Sequence, residues 1–303
     1  MANLLILVAC LLAGLLLRRA GRLPDNAHGA LNAVIIHLSL PALTLRTLHA
    51  FQFDPSQLGP VLMPWVLFAI GALVFAVVGR WLQLPRASIG ALTLVGGLGN
   101  TSFVGLPMIE SLHGRDGMAL GLLIDQLGSY LALSTVGVLA IAIYAAQSRP
   151  TPRAMLARVF GFPPFIALLL ALLLRPLPFP AALDATLARL GDTLAPLALL
   201  SVGMQLRLDT LRQQARPLCL GLGFKLLACP ALVMAVLWLH NAGTGVASRV
   251  SLIEAAMPPM IGAGIMAAQA KLDAPLVSTL IGVGIPLGLA TAPLWFWCLG
   301  AWT

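Results

Sequence analysis

Residues 96–110 read Gly96-Gly97-Leu98-Gly99-Asn100-Thr101-Ser102-Phe103-Val104-Gly105-Leu106-Pro107-Met108-Ile109-Glu110, a stretch inside an apolar region that is unsuited to an unbroken helix. Each of its four glycines costs roughly 1 kcal/mol in helix propensity. Pro107 removes an amide donor and clashes with the preceding turn. The stretch therefore predicts two half-helices separated by a break.

A break in an apolar helix exposes backbone amides and carbonyls, and each unpaired group costs several kcal/mol in hydrocarbon. Asn100, Thr101 and Ser102 stand in the gap and offer one amide and two hydroxyls beside loosened backbone. This combination is typical of a small-solute site between half-helices. A glycine-rich packing face or an ordinary kink is the alternative explanation.

The composition is that of a membrane protein. Of the 303 residues, 59% are hydrophobic and only 9% are charged, and the mean hydropathy is +0.96. A soluble domain carries about 25% charged residues, so a soluble fold of this length is excluded. Because one span needs about 20 apolar residues, we predict an all-α polytopic fold of about ten transmembrane helices. They lie near residues 2–17, 29–48, 60–79, 88–111, 117–145, 159–174, 186–206, 217–239, 248–270 and 275–299.

The basic residues predict the orientation in the membrane. The formal net charge is +8, and with ten spans twelve Arg and Lys residues fall in one set of alternate loops against five in the other. The positive-inside rule places the richer set in the cytoplasm, so both termini lie outside the cytoplasm. We expect a multi-pass protein of the inner (plasma) membrane, surrounded by the lipid bilayer and without a nucleic-acid partner.

Two proline landmarks predict an internal repeat. Pro41 and Pro196 lie in similar apolar contexts 155 residues apart, and Pro107 and Pro259 lie 152 residues apart. Two landmarks with nearly one offset indicate two homologous halves.

The halves cover residues 1–146 and 159–303, and a cytoplasmic linker at 147–158 joins them. Five spans per half is an odd number, so the second half is an inverted-topology repeat of the first. Helices 4 and 9 are then both broken and cross near the bilayer midplane. The predicted crossover residues are Gly99, Pro107, Pro258, Pro259 and Gly262.

Four motifs together resemble the auxin efflux carrier family: Asn100 to Pro107, Phe162-Pro163-Pro164, Leu194 to Ser201, and Met257-Pro258-Pro259. The resemblance covers the whole chain. It implies a secondary carrier of small organic anions with ten helices, divided into a scaffold part and a transport part. It further implies that Asn100 helps to bind the substrate and that Pro107 forms the crossover with Pro258 or Pro259. The linker of about a dozen residues differs from the long plant loop, so an auxin substrate is not implied.

Asp125 lies well inside the predicted fifth span, where an ionisable group costs several kcal/mol unless it faces a cavity or a partner. Asp125, Ser129 and Ala132 share one helical face, and Gln126 and Tyr130 share the adjoining one. We expect a polar site near the crossing, with a structural hydrogen bond from Asp125 to the broken fourth helix as the alternative. The candidate substrate-binding residues are Asn100, Thr101, Ser102, Gly105, Asp125, Gln126 and Tyr130.

Two further ionisable residues lie in apolar spans. Glu254 precedes Pro258 by one helical turn, and Lys225 is the intramembrane lysine of the eighth span. Asp125, Glu254 and Lys225 are the candidates for proton coupling. A static Lys225–Glu254 ion pair is the alternative. The coupling ion, H⁺ or Na⁺, is left open, and no other cofactor is expected.

The sequence predicts a transporter of a small organic anion such as a carboxylate that works by alternating access. A sodium-coupled bile-acid-type symporter is one alternative, and a substrate-gated channel or membrane sensor is another. The cysteines and histidines show no metal-site spacing, and HExxH, GxSxG and Walker A motifs do not occur, so we expect neither a metal site nor an enzyme. Glycine-rich helix faces are compatible with a homodimer.

Overall fold

The computed structural model describes residues 2–24, 26–52, 54–145, 151–205 and 214–301. Within these ranges the secondary structure is helical, and the one β-type pairing is an isolated antiparallel bridge between Gly99 and Pro259. The predicted all-α class is therefore confirmed for the part of the chain that is described.

Thirteen helical segments follow one another in these ranges. They are α1 (Ala2–Arg19), α2 (Ala27–His49), α3 (Pro55–Trp81), α4 (86–96), α5 (101–112), α6 (Arg115–Tyr144), α7 (Pro152–Phe160), α8 (Pro163–Leu173), α9 (Ala181–Gln205), α10 (Ala215–Leu239), α11 (Val246–Ala255), α12 (Ile261–Gln269) and α13 (Ala274–Ala301).

Six of the described helices are long and apolar enough to cross a membrane: α2, α3, α6, α9, α10 and α13. The pair α7 and α8 is bent by 70° and makes a seventh candidate if it forms one span. The halves of the interrupted helices are each shorter than the roughly 20 residues that a crossing needs. The chain is thus a multi-span helical protein, and the count of ten spans stays a prediction.

The helix around residue 100 is interrupted at 97–100, and the helix around residue 258 is interrupted at 256–260. The first break ends at Asn100, so Thr101 and Ser102, which were expected in the gap, instead form the start of α5. Pro107 itself lies six residues after Thr101, the first residue of α5, inside a helix that continues from the π-helical turn 101–105. Pro107 therefore follows the crossover instead of forming it.

The predicted linker at 147–158 is partly helical. Residues 146–150 lie outside the described residues, and α7 begins at Pro152. The Thr151 hydroxyl caps this helix by accepting the Ala154 N–H at 3.2 Å. The end of the linker is thus the first arm of the bent pair α7–α8.

The helices α1, α2, α8 and α9 pack against one another. Gly14 and Gly203 set the approach of α1 to α9, since a Cβ on either would collide with the backbone of the opposite helix. Small residues allow such close contact between apolar helices. The two helix breaks contribute to two clusters of buried apolar side chains: Leu98 and Met260 belong to one, and Met257 belongs to the other.

Candidate functional site

The two helix breaks pair directly with each other. The Asn100 N–H donates to the Pro258 carbonyl at 2.8 Å, and the Met260 N–H donates to the Leu98 carbonyl at 3.1 Å. These bonds form the antiparallel bridge between Gly99 and Pro259. Backbone groups that the breaks release are therefore satisfied by the opposite break. We call residues 97–100 and 256–260 the crossing.

Glycines and prolines allow the backbones to meet at the crossing. A Cβ on Gly97 would collide with the Thr93 carbonyl, so only glycine fits without a backbone shift. Pro258 and Pro259 lack the N–H groups that would continue α11. Both prolines pack on α13 at glycine positions: a Cβ on Gly284 would lie 2.6 Å from Pro259 Cδ, and one on Gly288 would lie 2.8 Å from Pro258 Cβ.

Asn100 stands at the N-terminal end of α5. Its Oδ1 accepts the Phe103 N–H at 3.3 Å and caps the half-helix. Its Nδ2 is buried and has no hydrogen-bond partner among the described residues. A buried donor without a partner costs roughly 1–3 kcal/mol, so this amide is available to an acceptor that the described residues do not supply.

Asp125 is fully buried on α6 and faces the same half-helix. Its Oδ1 accepts hydrogen bonds from the hydroxyls of Thr101 and Ser102, both at 2.5 Å. Its Oδ2 has no partner among the described residues. The broken helix thus donates two structural hydrogen bonds to Asp125, and the two hydroxyls are already engaged by a carboxyl group of the protein itself.

Gln126 and Tyr130 point elsewhere. Gln126 Nε2 donates to Thr44 Oγ1 on α2 at 2.7 Å. The Tyr130 hydroxyl donates to the Arg158 carbonyl at 2.7 Å, and its ring stacks on Phe162 with centroids 3.8 Å apart. The structure therefore does not group these two side chains with Asn100. They tie α6 to α2 and to the bend between α7 and α8.

Glu254 reaches from α11 toward α5. The residue is 1% exposed, and neither carboxyl oxygen has a hydrogen-bond partner among the described residues. A Cβ on Gly105 would collide with this carboxyl group, so the absence of a side chain at 105 makes room for Glu254. Gly105 and Glu254 therefore form one contact of the site.

Lys225 lies on the π-helical part of α10 and is 2% exposed. Its Nζ donates to the Ala255 carbonyl at 3.2 Å and lies beside Gly99, where an added Cβ would be 3.1 Å from Nζ. No carboxyl oxygen of Asp125 or Glu254 lies within 4.0 Å of Nζ in the described structure. The Lys225–Glu254 ion pair, which the sequence offered as the alternative to proton coupling, is thus not formed, because the ammonium is directed to the end of α11.

A small cavity adjoins the crossing. Its volume is about 10 Å³, about the space of one water molecule. Thr101, Ser129, Lys225 and Glu254 line it together with apolar and backbone groups. Ser129 Oγ has no partner within the described part of the chain. The predicted crossover residue Gly262 lies outside this lining, in the first turn of α12.

A larger cavity of about 310 Å³ lies between α2, α5, α6 and α9; we call it the vestibule. Arg46 Nε lies 3.0 Å from Asp184 Oδ1, and Arg115 lies 2.8 Å from Asp192 and 3.5 Å from Glu110. In the sequence, Arg46 and Arg115 were used only to predict the orientation of the spans in the membrane. Asp184 and Asp192 are two carboxylates in the segment that forms α9. Their presence was the signal that could have indicated ion pairs with these arginines.

The geometry defines a multi-span helical membrane protein organised around two paired helix breaks, with ionisable side chains buried beside them. A family described as "Membrane transport protein" matches residues 1–296. The chain belongs to this family of auxin efflux carrier-type transport proteins. The family resemblance that the four motifs indicated is therefore confirmed.

Two archaeal proteins are similar over nearly their whole length. An "Uncharacterized transporter" of Methanothermobacter thermautotrophicus is 28% identical over 298 residues, which cover 97% of this chain and 96% of that protein. A second protein with that description, from Methanocaldococcus jannaschii, is 25% identical over 304 residues, 97% of each chain. Both names agree with a role in membrane transport.

Proposed function

We propose that the protein is a secondary carrier of a small organic anion such as a carboxylate, and that it works by alternating access around the crossing. The observation that carries this proposal is the paired interruption of two helices beside buried ionisable groups. Interrupted helices at matching positions of two halves are the best structural pointer to a transporter's substrate site. Membership of a transport family makes an enzymatic role unnecessary to explain the site.

The proposed architecture has ten spans in two inverted halves, located in the inner membrane with both termini outside the cytoplasm. Helix starts recur at a nearly constant distance of 160 or 159 residues, which supports a repeat. The matched starts are Pro55 with Ala215, Arg86 with Val246, and Arg115 with Ala274. In this scheme α4–α5 and α11–α12 are single broken spans, and α1 and α7–α8 supply the remaining two.

The substrate's carboxylate binds near Asn100 in this proposal. The Nδ2 group of Asn100 is a buried donor without a partner in the described structure, and the N-terminal end of α12 faces the crossing beside Met260. The Thr101 and Ser102 hydroxyls are engaged by Asp125. A bound anion thus competes with the Asp125 carboxyl group for these donors.

The vestibule is the proposed route between the site and the outer solution. Its volume of about 310 Å³ falls in the range of small-molecule pockets. Leu106 and Glu110 of α5 line it, and the other end of α5 reaches the crossing. We take the packed group α1, α2, α8 and α9 as the scaffold part and the helices around the crossing, including α6, as the transport part. The Arg115–Asp192 pair links α6 to α9 and so joins the two proposed parts. Movement of one part against the other breaks and reforms this pair.

We favour a proton gradient, or the membrane potential acting on an exported anion, as the driving force for transport. Asp125, Glu254 and Lys225 together carry one excess negative charge if both carboxyl groups are ionised, and burying such a charge is costly. One proton on a carboxyl group removes the excess. Without coupling, an inside-negative potential favours export of an anion by about 2.3 kcal/mol per charge per 100 mV.

Flux of organic acids across the membrane of proteoliposomes tests the proposal. Acetate, succinate, malate and benzoate are loaded separately, and proton, sodium and potential gradients are imposed one at a time. Asn100→Ala is compared with wild type and with Asn26→Ala, a matched control on an exposed asparagine without a side-chain cap bond. Saturable flux that only Asn100→Ala abolishes supports a carrier centred on the crossing.

Other outcomes of the same assay identify the alternatives. Flux that requires sodium favours a bile-acid-type symporter, and flux at conductance rates without saturation favours a channel. Binding of an acid without flux favours a sensor. Normal transport by Asn100→Ala refutes the assignment of the site.

A further inference from the structure

The ammonium of Lys225 occupies a position that suits a cation. Ala255, its hydrogen-bond acceptor, is the last residue of α11. The C-terminal end of a helix carries partial negative charge and unpaired carbonyls. In transporters with broken helices, such half-helix ends and unwound carbonyls coordinate the coupling cation. Lys225 therefore places a positive charge of the protein where a free cation would bind.

The surroundings hold this ammonium in place. Lys225 belongs to the π-helical segment Phe224–Ala228, and the neighbouring Leu226 carbonyl accepts the Trp295 Nε1–H at 3.0 Å. Gly99 leaves the space that Nζ fills, since an added Cβ there would lie 3.1 Å from Nζ and 3.2 Å from Cε. The side chain is therefore fitted to the crossing.

The groups around Lys225 would suit an alkali cation if the ammonium were removed. Thr101, Ser129 and Glu254 line the same small cavity as Lys225. Both Glu254 carboxyl oxygens and Ser129 Oγ lack partners among the described residues. Oxygen atoms are the ligands that hard cations prefer. Loss of the lysine side chain would enlarge the cavity and leave carboxyl groups without their positive neighbour.

We propose that Lys225 acts as a built-in substitute for a coupling cation, so that the wild-type protein has no sodium site at the crossing and loss of the lysine charge creates one. The inference deepens the proposed function because it concerns the coupling ion of the same site. It predicts sodium-independent transport by the wild type, and it separates this chain from a sodium symporter at a single residue.

Thermal unfolding of the purified full-length protein tests the inference without any transported substrate. Sodium chloride replaces choline chloride at constant ionic strength, and the midpoint Tm is recorded against sodium concentration. Lys225→Ala is compared with wild type and with Lys271→Ala, since Lys271 is the other lysine of the chain and is exposed. The double variant Lys225→Ala/Glu254→Gln removes the proposed ligand charge.

We expect Lys225→Ala to gain a saturable rise in Tm of about 5 °C at sodium concentrations far above the dissociation constant, because ligand binding to the folded state stabilises it. Wild type, Lys271→Ala and the double variant show no such rise. A saturable sodium response of the wild type, or no response of Lys225→Ala, overturns the inference.

A second variant provides the test if Lys225→Ala does not fold. Lys225→Gln keeps a donor for the Ala255 carbonyl but carries no charge, so it must show the same sodium response if Lys225→Ala does not fold. These results are independent of the carrier proposal: a missing sodium response does not affect anion flux, and a missing anion flux does not affect the sodium response.

Discussion

Replacement of Asp125 tests the strongest polar contact that the structure shows at the broken helix. In Asp125→Ala the hydroxyls of Thr101 and Ser102 lose their common acceptor, which lies 2.5 Å from each of them. In Asp125→Asn the remaining carbonyl oxygen still accepts from both. The two variants also differ in side-chain volume, so removal of the hydroxyls in each background is needed to isolate the two hydrogen bonds.

The magnitude follows from where the bonds lie. Hydrogen bonds between membrane helices contribute about 0.6 kcal/mol on average and up to about 1.7 kcal/mol, while bonds to charged groups in soluble proteins contribute about 1.5–3 kcal/mol. Asp125 is fully buried, and both donors sit at a helix break, so the upper membrane figure applies. Two bonds then amount to about 3 kcal/mol, which corresponds to a difference in Tm on the order of 5–10 °C.

The assay is thermal unfolding of detergent-solubilised protein, with Thr101→Val/Ser102→Ala added to each background. We expect Asp125→Ala to unfold well below Asp125→Asn. The added pair of substitutions should cost little in the Ala background, where the hydroxyls already lack an acceptor. Equal midpoints for the Ala and Asn variants, or a full cost of the hydroxyl substitutions in the Ala background, refute the reasoning.

Two further predictions concern the neighbourhood of the crossing and the vestibule. Gly105→Ala places a methyl group against the Glu254 carboxyl group and should cost about 1–3 kcal/mol of stability by overpacking; Gly262→Ala is the control, because its added Cβ meets only an ordinary contact at 3.7 Å. Equal Tm values for the two variants would contradict this. Asp192→Asn breaks the half-exposed pair with Arg115 and should lower the free energy of unfolding by no more than about 1 kcal/mol, while the flux rate changes. A large fall in Tm with unchanged flux would argue against the proposed movement.

Local composition was sufficient to predict the helix breaks, and it gave a hydrogen bond between Asp125 and the broken fourth helix as the alternative to a substrate site. Glycines at 97 and 99 and prolines at 258 and 259 are costly in a helix, and a buried carboxyl group needs donors. The sequence assigned the hydroxyls of Thr101 and Ser102 to the substrate, whereas in the structure they donate to Asp125. These inferences depend only on residue types and on the apolar surroundings.

Details that depend on partners distant in sequence could not be predicted. The register of the crossing is fixed by the bridge between Gly99 and Pro259, and sequence spacing aligned Pro107 with Pro259 instead. Lys225 bonds to a carbonyl, and a carbonyl is present at every position, so no residue type indicates it. Tyr130 was assigned to the site by helical periodicity, but α6 is π-helical at 124–130, which changes the direction of its side chains.

Counterflow in proteoliposomes tests alternating access most directly. Vesicles are preloaded with the unlabelled acid that the flux panel identifies, and uptake of trace labelled acid is followed without any ion or potential gradient. We expect a transient accumulation of label above equilibrium. Each unlabelled anion that leaves the vesicle on the carrier brings the binding site to the outer face, where it takes up labelled acid. Label that only equilibrates, with no transient excess at any preload, would contradict a carrier and indicate a channel.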